Sequence, residues 1–218
     1  MIKLSNRLYA ISEYIDSKDI VIDVGCDHAL LDIYLSEKYN KVYYASDIRE
    51  SALLKARENI EKYNIKNVIL RCFDGLEGIN EDDKIDTVVI SGMGYHTILK
   101  ILKNKEKLYN INKIIIESNS NPEIVRKYLI KNGFYIESEN IIKDKNIFYI
   151  VSCYKRGSKK YSRIQKEVGV FKMNDISSQY INNEIKKNNV LLSIIPRSDI
   201  IRIIKLKIKI KLLKKKIL

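Results

Sequence analysis

The sequence is poor in the residues that build metal centres. Among 218 residues there are two histidines, three cysteines and no tryptophan. Cys26, Cys72 and Cys153 lie far apart and form no Cys-x-x-Cys pair, which is the spacing typical of structural zinc sites. We therefore expect free, buried thiols and no bound metal.

Long apolar runs are also missing. No uninterrupted stretch approaches the roughly 20 apolar residues that a membrane-spanning helix needs. Residues 1–7 lack the apolar core of a secretory signal, so we expect a cytoplasmic protein without membrane association. The apolar content of 45% over 218 residues is enough for one α/β domain with a small appendage.

Acidic residues are scarce in the last third of the chain. Residues 155–218 hold 18 Lys and Arg against 4 Asp and Glu, a net charge of +14, whereas residues 1–154 carry a net charge of −1. A basic segment on one side of the chain indicates a polyanionic partner, either nucleic acid or a membrane surface. The alternative is a coding bias toward lysine, with the lysines forming a solvated face. Such a bias would also have made the first segment basic, so we favour the polyanion.

The apolar pattern alternates between strands and helices. This alternation is typical of a parallel sheet in an α/β fold. The last two predicted strands have no helix between them, so we expect an antiparallel hairpin at one edge of the sheet, which is the architecture of class I, Rossmann-like methyltransferase domains. The predicted strands are 20–24, 42–47, 68–72, 87–90, 113–117, 135–142 and 147–154.

Two domains are predicted, a methyltransferase domain over 1–156 and a basic helical one over 157–218. Apolar residues at helical spacing predict a helix over 175–195, which Pro196 ends. After Pro196 two patterns overlap. Lysines alternate with aliphatic residues, as in a strand, yet the spacing also follows a coiled-coil seam. We favour two antiparallel helices, because an exposed strand of this length would promote aggregation. The seam residues are Ile203, Leu206, Ile210, Leu213 and Ile217.

Acidic residues and glycines follow four of the predicted strands. Because the carboxyl ends of parallel strands meet at a ligand-binding crevice, we expect these residues to bind a cofactor. A single Asp in a loop is as often a helix cap, but four such sites in register favour a binding role. In chain order the candidates are Asp23, Gly25, Asp27 and His28; Asp47 and Ile48; Asp74 and Gly75; and Gly92 and Met93.

The first of these turns argues against a dinucleotide. A pyrophosphate-binding turn has the pattern Gly-x-Gly-x-x-Gly, but only Gly25 is present here, and Asp27 would repel a phosphate. An acid at this position suits S-adenosylmethionine, which carries sulfonium and ammonium groups. Asp47 is then placed to accept hydrogen bonds from the ribose hydroxyls, and Asp74 from the adenine amine.

At these residues the sequence resembles a known family. Residues 23–31, Asp-Val-Gly-Cys-Asp-His-Ala-Leu-Leu, are similar to the Asp-Ile-Gly-Ser-Asp-His-Ala-Tyr-Leu stretch of bacterial tRNA (adenine(22)-N(1))-methyltransferases, the TrmK family. Residues 4–8, 74–76 and 92–94 resemble further motifs of that family, as do Asn119 and the helix around Arg126. The departures are Cys26 for Ser, Asp32 for Pro, Tyr95 for a second Gly, and Glu117-Ser118-Asn119 for Gln-Pro-Asn.

The resemblance implies methyl transfer from S-adenosylmethionine to N1 of adenine in tRNA. This ring nitrogen is nucleophilic while neutral, so no base must remove a proton and catalysis is mainly proximity. The product base is cationic, and Asp27 is the candidate to stabilise the developing charge. Asn119 is placed to hydrogen-bond the same base edge and Tyr95 to stack on the base.

The same resemblance leads to expectations about substrate binding. Arg126 is assigned to the substrate, and Arg7 either contacts a phosphate or pairs with an acid. Adenine in folded tRNA must be flipped out, and the basic segment would anchor the RNA backbone. We expect a monomer that binds tRNA. The alternatives are a class I methyltransferase acting on another RNA or a small molecule, and a non-catalytic RNA-binding protein with a vestigial cofactor pocket.

Overall fold

The computed structural model describes residues 2–217, and its centre is one seven-stranded sheet. The strands are β1 (Val21–Val24), β2 (Tyr43–Asp47), β3 (Val68–Cys72), β4 (Thr87–Met93), β5 (Lys113–Ser118), β6 (Phe134–Asp144) and β7 (Ile147–Arg156). Their order across the sheet is β3-β2-β1-β4-β5-β7-β6. The first five are parallel, whereas β7 is antiparallel to both β5 and β6. The predicted α/β methyltransferase architecture with its edge hairpin is confirmed.

Within residues 2–217, eight α-helices surround and extend this sheet. The two C-terminal helices are the longest. The short helix over Arg163–Glu167 and a 3₁₀ turn over Glu81–Asp83 were not predicted, because each is too short to show a helical period in the sequence. The helices are α1 (Asn6–Ser12), α2 (Leu30–Tyr39), α3 (Glu50–Lys62), α4 (Tyr95–Leu102), α5 (Pro122–Lys131), α6 (Arg163–Glu167), α7 (Asp175–Ile194) and α8 (Ile200–Ile217).

The central strands are buried on both faces, which explains their continuous apolar runs. Successive side chains along a strand point to opposite faces. Val88 and Ile114 thus pack with residues of α4 and α5, while Val89 and Ile115 pack on the other side with residues of α1 and α2. The polar carboxyl ends of these strands lie outside the packed apolar faces.

The helix pair α7–α8 packs on the edge hairpin of β6 and β7. Phe171, Ile181 and Leu213 are buried against Ile141 and Ile150 of that hairpin. The segment over Ile200–Ile217 forms a helix, which confirms the prediction of a helix there over the alternative of a strand. The helical segment and the sheet share this apolar cluster, so their packing does not separate two domains. The domain boundary between residues 156 and 157 therefore stays a prediction.

Only the middle of the predicted seam of α8 is buried. Ile210 and Leu213 are buried and Ile203 and Leu206 half-buried, whereas Ile217 is 41% exposed.

Among residues 2–217, no helix combines the length and apolar character that crossing a bilayer requires.

Candidate active site

A cavity of about 700 Å³ opens at the carboxyl ends of β1 to β4. It lies where the strand order reverses, since β1 has β2 on one side and β4 on the other, which is the usual ligand position in such sheets. Its volume is in the ordinary range for a small-molecule site, about 300–1,000 Å³. Eleven of the predicted site residues line it: Arg7, Asp23, Gly25, Asp27, His28, Asp47, Ile48, Asp74, Gly75, Gly92 and Met93.

The turn after β1 has an unusual backbone. Gly25, Asp27 and Ala29 have φ values of 79°, 50° and 52°, and non-glycine residues in this region are uncommon and tend to occur at functional sites. The backbone N–H groups of Gly25 and Cys26 both donate to the Ser46 carbonyl, at 2.7 and 2.9 Å. These bonds tie the turn to the end of β2.

Met93 packs directly on this turn. A Cβ added to Gly25 would lie 2.1 Å from the Met93 Cε atom. The positive φ therefore favours glycine here, whereas the Met93 methyl group, at the end of a flexible side chain, could move aside.

Arg49 joins the two carboxylates at the first two strand ends. Its Nε donates to Asp47 Oδ1 at 3.2 Å, its Nη2 lies 3.5 Å from Asp27 Oδ1, and its backbone N–H donates to Asp47 Oδ1 at 2.9 Å. The hydrogen bond to Asp47, reinforced by its charge, raises the pKa of Arg49. The guanidinium thus bridges two acidic side chains at the cavity. Arg49 belongs to none of the motifs named above, although its place two residues after Asp47 is a usable signal in the sequence.

A buried acceptor without a partner lies at the floor of the cavity. Asp23 is 4% exposed and its Oδ1 accepts no hydrogen bond from any described residue. Burial raises the pKa of Asp23 to about 7, although the Arg7 charge opposes this shift. An unsatisfied carboxylate in this position suits a ligand with a positive charge.

A second buried acid, Asp32, lies on α2. It is fully buried, and neither carboxyl oxygen has a partner among residues 2–217. Burial raises the pKa of Asp32 well above its usual range, and the charge of Asp23 adds to the effect. The two carboxyl groups are therefore coupled beneath the site.

Arg7 on α1 is held against the ends of β4 and β5. Its Nη1 donates to Glu117 Oε2 at 3.0 Å, and the Gly92 backbone N–H donates to the same oxygen at 2.9 Å. The Glu117 side chain is fully buried. Burial raises the pKa of Glu117, although the charge of Arg7 opposes this rise. Of the two expectations for Arg7, the structure shows the pairing with an acid, while Arg7 also lines the cavity.

Two predicted substrate-side residues lie beside the cavity and do not line it. The Asn119 Nδ2 donates to the Gly92 carbonyl at 2.7 Å, so this amide supports the cavity wall. The Tyr95 ring stacks on His96 with ring centroids 3.8 Å apart, and its backbone N–H donates to Ser120 Oγ at 3.3 Å. Their contacts with a base stay a prediction.

The predicted contact of Arg126 with the substrate is not supported by its position in the fold. Its side chain is 1% exposed, and its Nε and Nη2 both donate to Glu139 Oε1, at 2.9 and 2.8 Å. Ser152 Oγ and the Val170 N–H complete the shell of Glu139. A substrate does not reach a guanidinium buried in this way, so the burial of Arg126 argues against the predicted substrate contact. We assign it to holding α5, β6 and β7 together.

Further lining residues came from outside the motifs. They include Phe73 after β3, and Thr97 and Ile101 on α4. Apolar residues and hydroxyls at these positions look the same in sequence as core or surface residues, so only the folded chain reveals them. Ser5 and Leu8 also line the cavity but belong to the motif over residues 4–8.

Comparison with known proteins agrees with this geometry. Residues 4–151 match a family model described as a methyltransferase domain. The tRNA (adenine(22)-N(1))-methyltransferase of Bacillus subtilis (strain 168) is 32% identical over 162 residues, which cover 72% of this chain and 67% of the relative. TrmK of M. capricolum, solved with S-adenosyl-homocysteine, is 29% identical, with 97% of this chain and 96% of that chain covered and a TM-score of 0.87.

A third similar protein is a putative tRNA (m1A22) methyltransferase of Streptococcus pneumoniae, solved in complex with S-adenosyl-L-methionine. It is 26% identical, 98% of this chain and 99% of that chain are covered, and the TM-score is 0.87. The family match, the shared fold over nearly the whole chain and the cavity at the switch point lead to one conclusion: this chain belongs to the tRNA (adenine(22)-N(1))-methyltransferase family.

Proposed function

We propose that this protein transfers the methyl group of S-adenosylmethionine to N1 of adenine 22 in tRNA. The observation that carries the proposal is the acid-lined cavity at the switch point, with the unsatisfied Asp23 carboxyl at its floor. Relatives with 29% and 26% identity were solved with S-adenosyl-homocysteine and S-adenosylmethionine. An acid-lined site of this kind suits a cationic cofactor and repels a pyrophosphate.

The residues of the cavity fit S-adenosylmethionine. When bound, this cofactor supplies a methyl group activated by a cationic sulfur. The Asp47 carboxylate at the end of β2 would accept hydrogen bonds from the ribose hydroxyls. Asp23 would face the ammonium group, while Gly25 leaves room for close approach. Asp74, whose Oδ2 is bound by Lys100 Nζ at 2.6 Å, would receive the adenine amine.

The chain's task in the reaction is to position the base. N1 of a neutral adenine carries the attacking lone pair, so the chain needs no base and no metal ion to generate a nucleophile. Asp27 is 58% exposed and its Oδ1 lies 3.5 Å from Arg49 Nη2, so this side chain is accessible to a substrate. We assign Asp27 to the exocyclic amine of the substrate adenine, where a carboxylate stabilises the positive charge of the product.

The basic helix pair would bind the tRNA backbone. Exposed lysines of α8 such as Lys207, Lys211 and Lys214 form no ion pair within the described chain, and free lysines of this kind neutralise phosphates. We infer that the protein acts in the cytoplasm, where tRNA is found. We also infer that the protein acts as a monomer.

A methylation assay tests the proposal. The protein is incubated with labelled S-adenosylmethionine and with two transcripts of the same tRNA, one with adenine and one with guanine at position 22. We expect label only in the first transcript, in 1-methyladenosine. Equal labelling of both would show that adenine 22 is not the target, and no labelling would refute the activity.

A further inference from the structure

A second cavity, of about 510 Å³, lies between the sheet and the helix pair. One wall is the loop 118–123 between β5 and α5, and another is the tip of the hairpin formed by β6 and β7. The third wall consists of residues of α7 and α8, among them Tyr180 and Lys209. The methyl-transfer reaction leaves this cavity without a role.

Four asparagines contribute to its polar lining. Asn121, Asn146 and Asn183 line the cavity, and their side-chain amides form no hydrogen bond to any residue of the described chain. A carboxamide donates and accepts at once, which matches the edges of nucleobases. Phe148 and Tyr180, in edge contact with ring centroids 6.0 Å apart, add aromatic surface of the kind on which unstacked bases pack.

Three acidic and two basic side chains line the cavity. Its three glutamates are each paired with a lysine, so none presents a free negative charge to a phosphate. Lys187 and Lys209 lie on the lining themselves. The pairs are Glu123 with Lys209 at 3.1 Å, Glu184 with Lys187 at 3.1 Å, and Glu167 with Lys127 at 2.7 Å.

This cavity is one side chain away from the methyl-transfer site. Asn119 lines it, yet the Asn119 Nδ2 donates to the carbonyl of Gly92, and Gly92 lines the active-site cavity. The Asn119 N–H also donates to the Met93 carbonyl at 2.9 Å. Further along the same loop, Asn121 directly precedes α5 and also lines the second cavity.

We propose that this second cavity is a nucleotide subsite, which holds an unstacked base next to adenine 22 while that adenine is methylated. The proposal rests on the proposed function. Flipping adenine 22 out of the folded tRNA disrupts the stacking of its neighbours. A site that binds one neighbouring base by its edge and face offsets part of this cost and adds selectivity for the nucleotide at that position.

The test combines altered tRNA with altered protein. Three tRNAs are assembled, one intact, one abasic at position 21 and one abasic at position 23. Wild-type protein is compared with the double variant Asn146→Ala/Asn183→Ala, and kcat/KM for methylation of adenine 22 is measured. Asn182→Ala is the matched control, because Asn182 is exposed on the same helix and does not line the cavity.

We expect wild-type protein to lose about tenfold in kcat/KM on one of the two abasic tRNAs, the effect expected when one recognised base is removed. The double variant should lose about tenfold on intact tRNA and nothing further on that abasic tRNA, with unchanged affinity for S-adenosylmethionine. Asn182→Ala should behave as wild type.

Two results would overturn the subsite. One is equal wild-type rates on all three tRNAs, a measurement that does not depend on whether the variant folds. The other is a loss in the double variant that adds to the loss from the abasic nucleotide. Absence of methylation on intact tRNA by wild-type protein would refute the proposed function itself, so the two failures are distinguishable.

Discussion

At the residue scale, two coupled carboxyl groups set how the protein responds to pH. Burial raises the pKa of Asp23 to about 7 and that of Asp32 well above its usual range. In the unfolded chain both titrate near about 3.9. Between about pH 4 and pH 7 these two groups therefore bind more protons in the folded state than in the unfolded state, and their contribution to the free energy of unfolding decreases as pH rises.

Replacing Asp32 should remove part of this pH dependence. Asp32→Ala deletes a buried carboxyl group whose oxygens have no partner in the described chain, so it should stabilise the protein at pH 8 and have a smaller effect at pH 5. Urea unfolding at the two pH values measures this difference. Asp82→Ala, an exposed site, should change neither value. An Asp32→Ala protein less stable than wild type at pH 8 would contradict the account.

Replacing Asp27 should affect the reaction and leave the fold intact. We choose Asp27→Asn because asparagine tolerates the φ of 50° at this position and removes only the charge. The methyl-transfer rate should fall by about two to three orders of magnitude, as for loss of one charge-stabilising group. Single-turnover kinetics give the rate, and thermal unfolding checks the fold. An unchanged rate would exclude Asp27 from the chemistry.

The sequence predicted much of the cavity at this scale, but not the pairings that support it. Asp47, Asp74 and Gly92 could be placed because the ends of parallel strands meet at one edge. The partner of Arg7 could not be predicted, because Glu117 is 110 residues away and no local pattern links the two. Likewise, nothing in the sequence around Arg126 indicates that the fold buries it on Glu139.

At the scale of elements, the alternation of strands and helices was predictable, while the placement of the last strand was not. Each βα unit shows its own period, so β1 to β5 follow from the sequence. The hairpin was expected at an edge, yet the sequence does not say that β7 inserts between β5 and β6. That order depends on pairing between strands far apart in the chain.

The buried pair of Arg126 and Glu139 should hold these elements together. Arg126→Ala leaves Glu139 buried without its main partner, which typically costs about 3–5 kcal/mol. Urea unfolding should show this loss. Lys127→Ala is the neighbouring control, since it breaks an exposed pair with Glu167 and should cost at most about 1 kcal/mol. A variant of Arg126 that keeps full stability but binds tRNA poorly would restore the substrate role.

At the scale of the whole molecule, charge and chemistry lie on different parts of the chain. The segment 155–218 carries a net charge of +14, and the part that forms the cavity is close to neutral. The basic segment could be recognised from composition alone. Its docking on the β6–β7 hairpin through Phe171 and Leu213 could not, because apolar residues do not reveal their partners.

Neutralising lysines of α8 should weaken tRNA binding selectively. In a triple variant of Lys207, Lys211 and Lys214 to Gln, the slope of log affinity against log salt should decrease by about 0.7–0.9 for each phosphate that a lysine no longer neutralises. Affinity for S-adenosylmethionine should stay constant, as calorimetry would show. The control replaces Lys55, Lys66 and Lys105, exposed lysines outside the helix pair. Equal losses of tRNA affinity in both variants would argue against a binding role specific to α8.

The separation of the basic helix pair from the turn after β1 has a consequence for how this protein can evolve. On the proposal that the lysines of α8 bind phosphates, each contributes a small, separate share of affinity, so exchanging one would weaken RNA binding only gradually. At Gly25, with a φ of 79°, any other side chain strains the turn itself. The strength of RNA binding would then drift over generations while the methyl-transfer site stays unchanged.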